Sequence, residues 1–510
     1  MKLWLGLIVF AFGCSTEKNN DLKQNIFVSA VKNMKTAVSE LEQDIITTLS
    51  IVLLIQNCTK MPPRNLLEAV WEFGYSKTQT ASGLTLAYPN LSYTFSKGLP
   101  IISVTPAITG GTASTCTSSP ALPAGLSLDN TTCIISGTPT ISQSAASYAI
   151  TGSNSQDSTT ASITITVNLF RQWSEIQSFL TAQQALGTTG SATAAAFGSL
   201  AGTNKWFGGV LAPNGKIYGI PYDSASVLVI DPSTDTASTF GSVGVGTAKW
   251  SGGVLAPNGK IYGIPMDSTS VLVIDPATNT TSTFGSLAGT WKWRGGVLCP
   301  NGKIYGIPMN STSVLVIDPA TDTANTFGSV GAAIEKWEGG VLAPDGKVYG
   351  IPRSETGVLV IDPATDTAST FGSLAGTWKW IGGAIAPDGK IYGMSFDSAS
   401  VLVIDPSMDT ASTFGSVGAG GNKWAGGVIA PNGRIYGIPW NVTNVLEIDT
   451  AANSTLAFGS VGSGYQGGIL APNGKIYGIP HTATSVLVID SKSNGVWPSD
   501  LYLSPFFNKH

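Results

Sequence analysis

Trp206-Phe-Gly-Gly-Val-Leu-Ala-Pro-Asn-Gly-Lys-Ile-Tyr-Gly-Ile-Pro221 recurs in seven close copies along the C-terminal three-fifths of the chain. The proline that follows its first apolar run falls at Pro213, Pro257, Pro300, Pro344, Pro387, Pro431 and Pro472, a step of 43 or 44 residues that shortens to 41 only at the end. A fixed period of this length marks a repeat architecture, in which each unit buries its apolar faces against its neighbours.

Each copy contains four short apolar or alternating runs, which in the first are Gly208 to Ala212, Lys216 to Ile220, Ser226 to Ile230 and Ala237 to Phe240. These read as strands. Asn214-Gly215, with Asn or Asp before Gly in every copy, predicts a two-residue type I′ hairpin. Asp231-Pro-Ser-Thr-Asp-Thr236 joins the third and fourth strands, with Pro presetting φ and Asp capping the turn. Four-stranded units that are apolar on both faces pack around an axis as propeller blades, so residues 193–490 are expected to form a seven-bladed β-propeller in an all-β chain. Seven Phe-Gly-Ser triplets start at Phe197 and end at Phe458, and none follows Ser485 to Ile489. The strand around Ala194 to Phe197 is therefore expected to complete the last blade and remove an open sheet edge.

Across 510 residues the apolar fraction is 43%, the charged fraction 11%, with 60 glycines and 28 prolines, a balance that suits short strands and tight turns. Net charge is -4 and no basic run occurs, which argues against nucleic acid as a partner. Two histidines and five cysteines without a Cys-x-x-Cys pair supply no metal-ligand pattern, and no cofactor is expected. Cys299 stands where other copies have alanine and reads as a small buried residue.

Met1-Lys2, the apolar run Leu3 to Phe12 and Gly13-Cys14 have the layout of an export signal ending at a lipid-accepting cysteine, with residues 1–14 as the signal. The segment resembles the relaxed lipobox of spirochaete lipoproteins, which implies acylation of Cys14 and a cell-envelope location, with the outer membrane expected. Leu49 to Ile55 ahead of Cys58 is an alternative anchor, although Glu40, Glu42 and Asp44 stand where a basic region belongs. Between them Phe27, Val31, Met34, Val38, Leu41 and Ile45 form a heptad seam on a helix from about Asp21 to Gln56, a stalk within 15–83 able to self-associate.

Residues 84–168 turn to Ser, Thr, Gly, Pro and β-branched types, with an alternating strand at Ala161 to Val167. Pro123-Ala-Gly-Leu-Ser-Leu-Asp-Asn-Thr-Thr-Cys-Ile-Ile-Ser-Gly-Thr-Pro139 resembles the signature of the He-PIG family, which implies an Ig-like β-sandwich. Cys116 and Cys133 lie within it and are expected to form a disulfide in an exported protein. Trp173, Ile176, Phe179 and Leu180 have helical spacing in a linker over 169–192, and residues 491–510 remain as a tail. The repeats themselves resemble a broad group of bacterial propellers defined by fold and not by one activity.

Two positions vary while their neighbours hardly do. One precedes Gly-Gly (Phe207, Ser251, Arg294, Glu338, Ile381, Ala425, Gln466), and the other follows Ile-Pro or its equivalent (Tyr222, Met266, Met309, Arg353, Phe396, Trp440, His481). Counting outward from a two-residue turn makes them cross-strand partners, Phe207 with Tyr222 and Glu338 with Arg353 among them. Beside them Trp206, Trp250, Trp293, Trp337, Trp380, Trp424 and Tyr465 form a ring of aromatics, preceded by Lys in six copies. One reading is a ligand face for a protein or glycan, with the variable neighbours supplying specificity. The other is that each Trp packs between adjacent blades. The repeats hold four glutamates and His481 as their one histidine, and carry no Ser-His-Asp set, P-loop or dinucleotide fingerprint. The expectation is a non-catalytic binding or adhesion module, with a periplasmic scaffold and a propeller-type hydrolase or lyase as the alternatives.

Overall fold

The computed structural model describes residues 83–97 and 101–508. Cys14, Cys58 and the expected N-terminal helix lie outside the described residues. The described chain is all-β apart from the helices Trp173–Gln184 and Ser499–Tyr502.

Residues from Thr85 to Asn168 form a sheet of Ser92–Ser96, Ser158–Asn168, Gln143–Ser153 and Thr115–Ser119, in that order, together with the pairs Thr85–Ala87 with Ala107–Thr109 and Leu126–Leu128 with Ile135–Gly137. Alternation along Ser158–Asn168 turns Ile163, Ile165 and Val167 inward, where they meet Tyr148, Ile150 and Ile135. Cys116 and Cys133 are bridged, with Cα atoms 5.3 Å apart. The bridge ties the sheet to the turn before Ile135, and the Tyr88 hydroxyl donates to the Cys133 carbonyl at 2.6 Å.

Seven four-stranded antiparallel sheets follow, here I to VII. Sheet I is Trp206–Leu211, Ile217–Pro221, Val227–Asp231 and Thr236–Phe240. Sheets II to VI repeat it from Trp250, Trp293, Trp337, Trp380 and Trp424. Sheet VII is Tyr465–Leu470, Lys475–Pro480 and Val486–Asp490, and its fourth strand is Thr193–Phe197, with Val486 opposite Phe197. In sheet I the first two strands are buried throughout and the third nearly so, while the Thr- and Ser-rich fourth keeps three of its five residues exposed. The pattern places the outermost strand in water.

The hairpin turn differs from the expected one. Only Gly215 has positive φ, +79°, and its N–H donates to the Ala212 carbonyl at 2.9 Å. Pro213 is locked near the φ of the second residue of a type I turn, so the loop becomes Pro213-Asn214-Gly215, with glycine as the left-handed residue that closes it. This three-residue loop moves the register by one, giving Leu211 opposite Ile217. A second irregularity lies at Phe207-Gly208, so that Trp206 faces Pro221. Tyr222 N–H donates to the Lys205 carbonyl at 2.9 Å, and Phe207 is not its backbone partner. The predicted cross-strand pairing of the variable positions is corrected accordingly.

The paired glycines set how the sheets meet. A Cβ on Gly253 would lie 2.5 Å from Ile220 Cδ1 of sheet I, and one on Gly296 would lie 2.6 Å from Ile264 Cδ1 of sheet II. The same contact joins sheet I to sheet VII, where Gly209 receives Ile479 at 2.7 Å. Backbone bonds run beside it: Lys249 N–H donates to Tyr222 O at 3.0 Å, Lys379 N–H to Arg353 O at 2.9 Å, and Lys205 N–H to His481 O of sheet VII at 2.9 Å. The lysine ammonium groups turn inward to carbonyls, as Lys292 Nζ does to Met266 O at 2.8 Å, Ser268 O at 3.0 Å and Gly289 O at 2.7 Å. Burial pulls these ammonium groups below their ordinary pKa, Lys379 to about 8.

The helix and the tail cover the hairpin-turn end. Gln177 Nε2 donates to Pro387 O at 2.9 Å, and Trp173 packs on Phe506 with ring centres 5.2 Å apart. Trp497, Leu501 and Tyr502 are buried. Asn508 pairs with the Leu211 backbone, accepting from its N–H at 2.8 Å and donating to its carbonyl at 2.7 Å. The segments expected to be a linker and a tail are thus part of the core.

Gly253→Ala is expected to cost about 1–3 kcal/mol of stability, as overpacking does. In urea unfolding, adding Ile220→Ala should leave the double variant less destabilised than the sum of the two single changes.

Candidate functional site

The aromatic ring faces inward. Trp206, Trp250, Trp293, Trp337, Trp380 and Trp424 are each at most 3% exposed. Every indole N–H donates to the carbonyl 20 residues further on, from Trp206 to Ser226 at 2.8 Å through Trp424 to Asn444 at 2.9 Å. Tyr465 replaces that bond with a hydroxyl contact to Ser485 Oγ at 3.2 Å. A ring with its one polar atom satisfied and its faces packed has little left for a ligand, so these residues serve to hold the sheets together.

The variable positions do converge, although most are buried. Phe207, Tyr222, Met266 and Met309 form one cluster, with the Phe207 and Tyr222 rings stacked at 5.6 Å. Ile381, Phe396 and Ala425 form a second, against which Trp440 packs. His481 lies against Tyr222 and Trp440, 5.1 Å from each ring, and Gln466 is buried. Between the two clusters stand Arg294, Glu338 and Arg353. Glu338 Oε2 accepts from Arg294 Nη1 at 2.7 Å and lies 3.4 Å from Arg353 Nε. The charge-matched pair read from the sequence is therefore present, with a second arginine from the neighbouring sheet added to it.

Unmet hydrogen bonds concentrate here. Arg294 Nε, Arg353 Nε and Nη1, Glu338 Oε1 and Ser251 Oγ are buried without a hydrogen-bond partner. Buried polar groups are as a rule paired, so such a cluster calls for a reason.

Three residues beside this centre were not singled out in the sequence. Trp291, Glu335 and Trp378 precede the lysine in their copies, where others have Asn204, Ala248 and Asn422. All six have left-handed backbone, with φ from +49° to +56°. Asn tolerates that region and a bulky ring does not, so a tryptophan there is strained. The strained backbone is held from the preceding sheet, as when Trp291 N–H donates to Asp267 Oδ1 at 2.6 Å. Trp378 stacks over the Arg353 guanidinium at 4.0 Å, and Trp291 lies 6.0 Å from that of Arg294. Their exposures are 37% and 38%, against 3% for Trp380 and Trp293 two residues later. Glu335 Oε1 is 3.6 Å from Arg353 Nη1. The signal available in the sequence was a third variable column, one residue before the lysine.

His481 Nδ1 lies 2.9 Å from the Trp206 carbonyl, which accepts its proton and leaves Nε2 bare in the neutral ring. Burial lowers its pKa from 6.5 to about 4. The unfolded chain then binds a proton that the folded one refuses between those values, so stability falls as pH drops from 6.5 towards 4. His481→Phe should flatten that slope in pH-dependent thermal unfolding.

Residues 76–168 match the model described as Putative Ig domain (He_PIG). Comparison with curated proteins gave no match. Among solved structures the chain is similar to a streptogramin B lyase, at 12% identity and a TM-score of 0.52 over 58% of this chain and 97% of that one. It is similar as well to virginiamycin B lyase from Staphylococcus aureus, at 10% identity and 0.52 over 59% and 99%, and to a catalytically inactive form of that enzyme with quinupristin, at 11% and 0.52. At these identities the likeness is one of fold: the repeats are propeller-like and an Ig-like domain precedes them.

Proposed function

We propose that this chain is a non-catalytic binding protein of the cell envelope, in which sheets I to VII close into a seven-bladed propeller and the end carrying Trp291, Arg294, Glu338, Arg353 and Trp378 is the ligand face. The observation that carries it is the group of unpartnered buried polar atoms on Arg294, Arg353 and Glu338, flanked by two half-exposed tryptophans on strained backbone. Closure is supported by the contacts of sheet I with sheet VII, which repeat those between the other sheets: Gly209 on Ile479, Lys205 N–H on His481 O, and Asn473 Nδ2 on Pro232 O at 2.8 Å, as Asn214 Nδ2 is on Pro276 O at 3.2 Å. The covered turn end supports the choice of the opposite face. The ligand is a protein or a glycan, and the Ig-like domain serves as a spacer.

Envelope anchoring at Cys14 belongs to the same proposal. Cys14→Ala should release the protein from the membrane fraction and abolish incorporation of labelled palmitate; retained label would transfer the role to Cys58. For the face, arrays of immobilised proteins and glycans probed with the full chain and with Arg353→Ala are expected to show a ligand that the variant loses at least tenfold. A ligand held equally by both would place binding elsewhere on the molecule.

A further inference from the structure

Charge at this face is balanced within the cluster. Two guanidiniums, Arg294 and Arg353, stand within ion-pair distance of two carboxylates, Glu338 and Glu335. What remains unmet is hydrogen bonding, and it is unmet in both senses: Arg294 Nε and Arg353 Nε and Nη1 lack acceptors, while Glu338 Oε1 lacks a donor. Arg353 and Glu338 are 4% and 2% exposed, so these atoms face the interior of the cluster and not bulk water.

An anion supplies acceptors alone, would leave Glu338 Oε1 unmet and would stand against two carboxylates. A cation fails for the converse reason, beside two guanidiniums. An uncharged group that both donates and accepts suits a cluster of this mixed character. The flanks add a second requirement. Trp291 and Trp378 stand just before the first strands of sheets III and V, on either side of sheet IV, whose first hairpin carries Glu338 and is flanked by Glu335 and Arg353, and both are partly exposed. An indole face carries negative charge density and suits the weakly positive C–H face of a sugar ring, whose hydroxyls donate and accept at its edge. Backbone strain at both tryptophans argues against a role in packing alone. Asn204 and Asn422 show that the same backbone position is served by a residue suited to it, while Ala248, Glu335 and the two tryptophans occupy it at a cost in local stability.

We infer that the cluster of Trp291, Arg294, Glu335, Glu338, Arg353 and Trp378 is a saccharide site, taking neutral pyranose units with the tryptophans as stacking platforms and the partly exposed Arg294 and Glu335, held by Glu338 and Arg353, reading hydroxyls. The inference rests on the ligand face proposed above and names its ligand class.

The test uses the full chain, titrated calorimetrically with hexasaccharides of glucose, mannose and N-acetylglucosamine, a galacturonic acid hexamer, and a random peptide pool. At least one neutral hexamer should bind, and Trp291→Asn and Trp378→Asn should each weaken it at least tenfold. Because asparagine relieves the backbone and Trp291 has no close stack to lose, Trp291→Asn should melt at the wild-type temperature or above it, whereas Trp378→Asn also gives up its stack on Arg353. A Trp291→Asn variant that melts lower marks that tryptophan as structural and overturns the inference. Binding of no neutral hexamer, or tighter binding of the acidic one, also overturns it. Peptide binding that the two variants lose removes the saccharide assignment and leaves the ligand face standing. Saccharide binding that both variants keep removes the face as well.

Discussion

The insertion of an isoleucine from one sheet against a glycine of the next is the contact on which the repeats depend. A single methyl at Gly253 would sit 2.5 Å from Ile220 Cδ1, so the innermost strand of each sheet has to be bare there for its neighbour to approach. Burying one such isoleucine contributes about 1.5–3 kcal/mol, and the contact recurs from sheet to sheet, with Met394 taking the isoleucine's part against Gly427. Close approach has a second effect. Gly382 comes so near Gly426 that a Cβ would lie 2.9 Å from its Cα, which leaves backbone and no side chains between those glycines. The residues flanking the glycines are thereby gathered at one end, where Phe207, Arg294, Glu338 and Ile381 meet the residues that follow the second strands.

That gathering explains why a chain so repetitive carries one distinctive place. Positions that hold the sheets together are the same in nearly every copy: the Trp whose N–H reaches a carbonyl, the Lys whose ammonium reaches up to three, the turn glycine. Positions free of those duties differ, and in sheets III to V the differences fall side by side. Polar groups that are costly to bury and tryptophans on unfavourable backbone occur there together.

Much of the fold was legible because its determinants are local. Strand positions followed from apolar runs, the fourth strand of sheet VII from the count of Phe-Gly-Ser triplets, and the bridge from two cysteines in one small domain. Register was misread for a reason equally local. Asn-Gly was given priority over the proline before it, although Pro213 dictates the turn type, and the bulge at Phe207-Gly208 adds a further residue of slip. The aromatic ring was read as a possible face because spacing alone does not tell an indole with a free edge from one whose N–H is already bound.

By itself the sequence determined the repeat, the strand content, the Ig-like domain and the variable columns, since period, alternation and turn chemistry act over a few residues at a time. Only the tertiary structure decided which aromatics are buried, that Glu338 sits between arginines of two sheets, and that Asn508 lies against Leu211, 297 positions earlier. Those outcomes depend on how sheets approach one another in space. Separation along the chain carries no record of it.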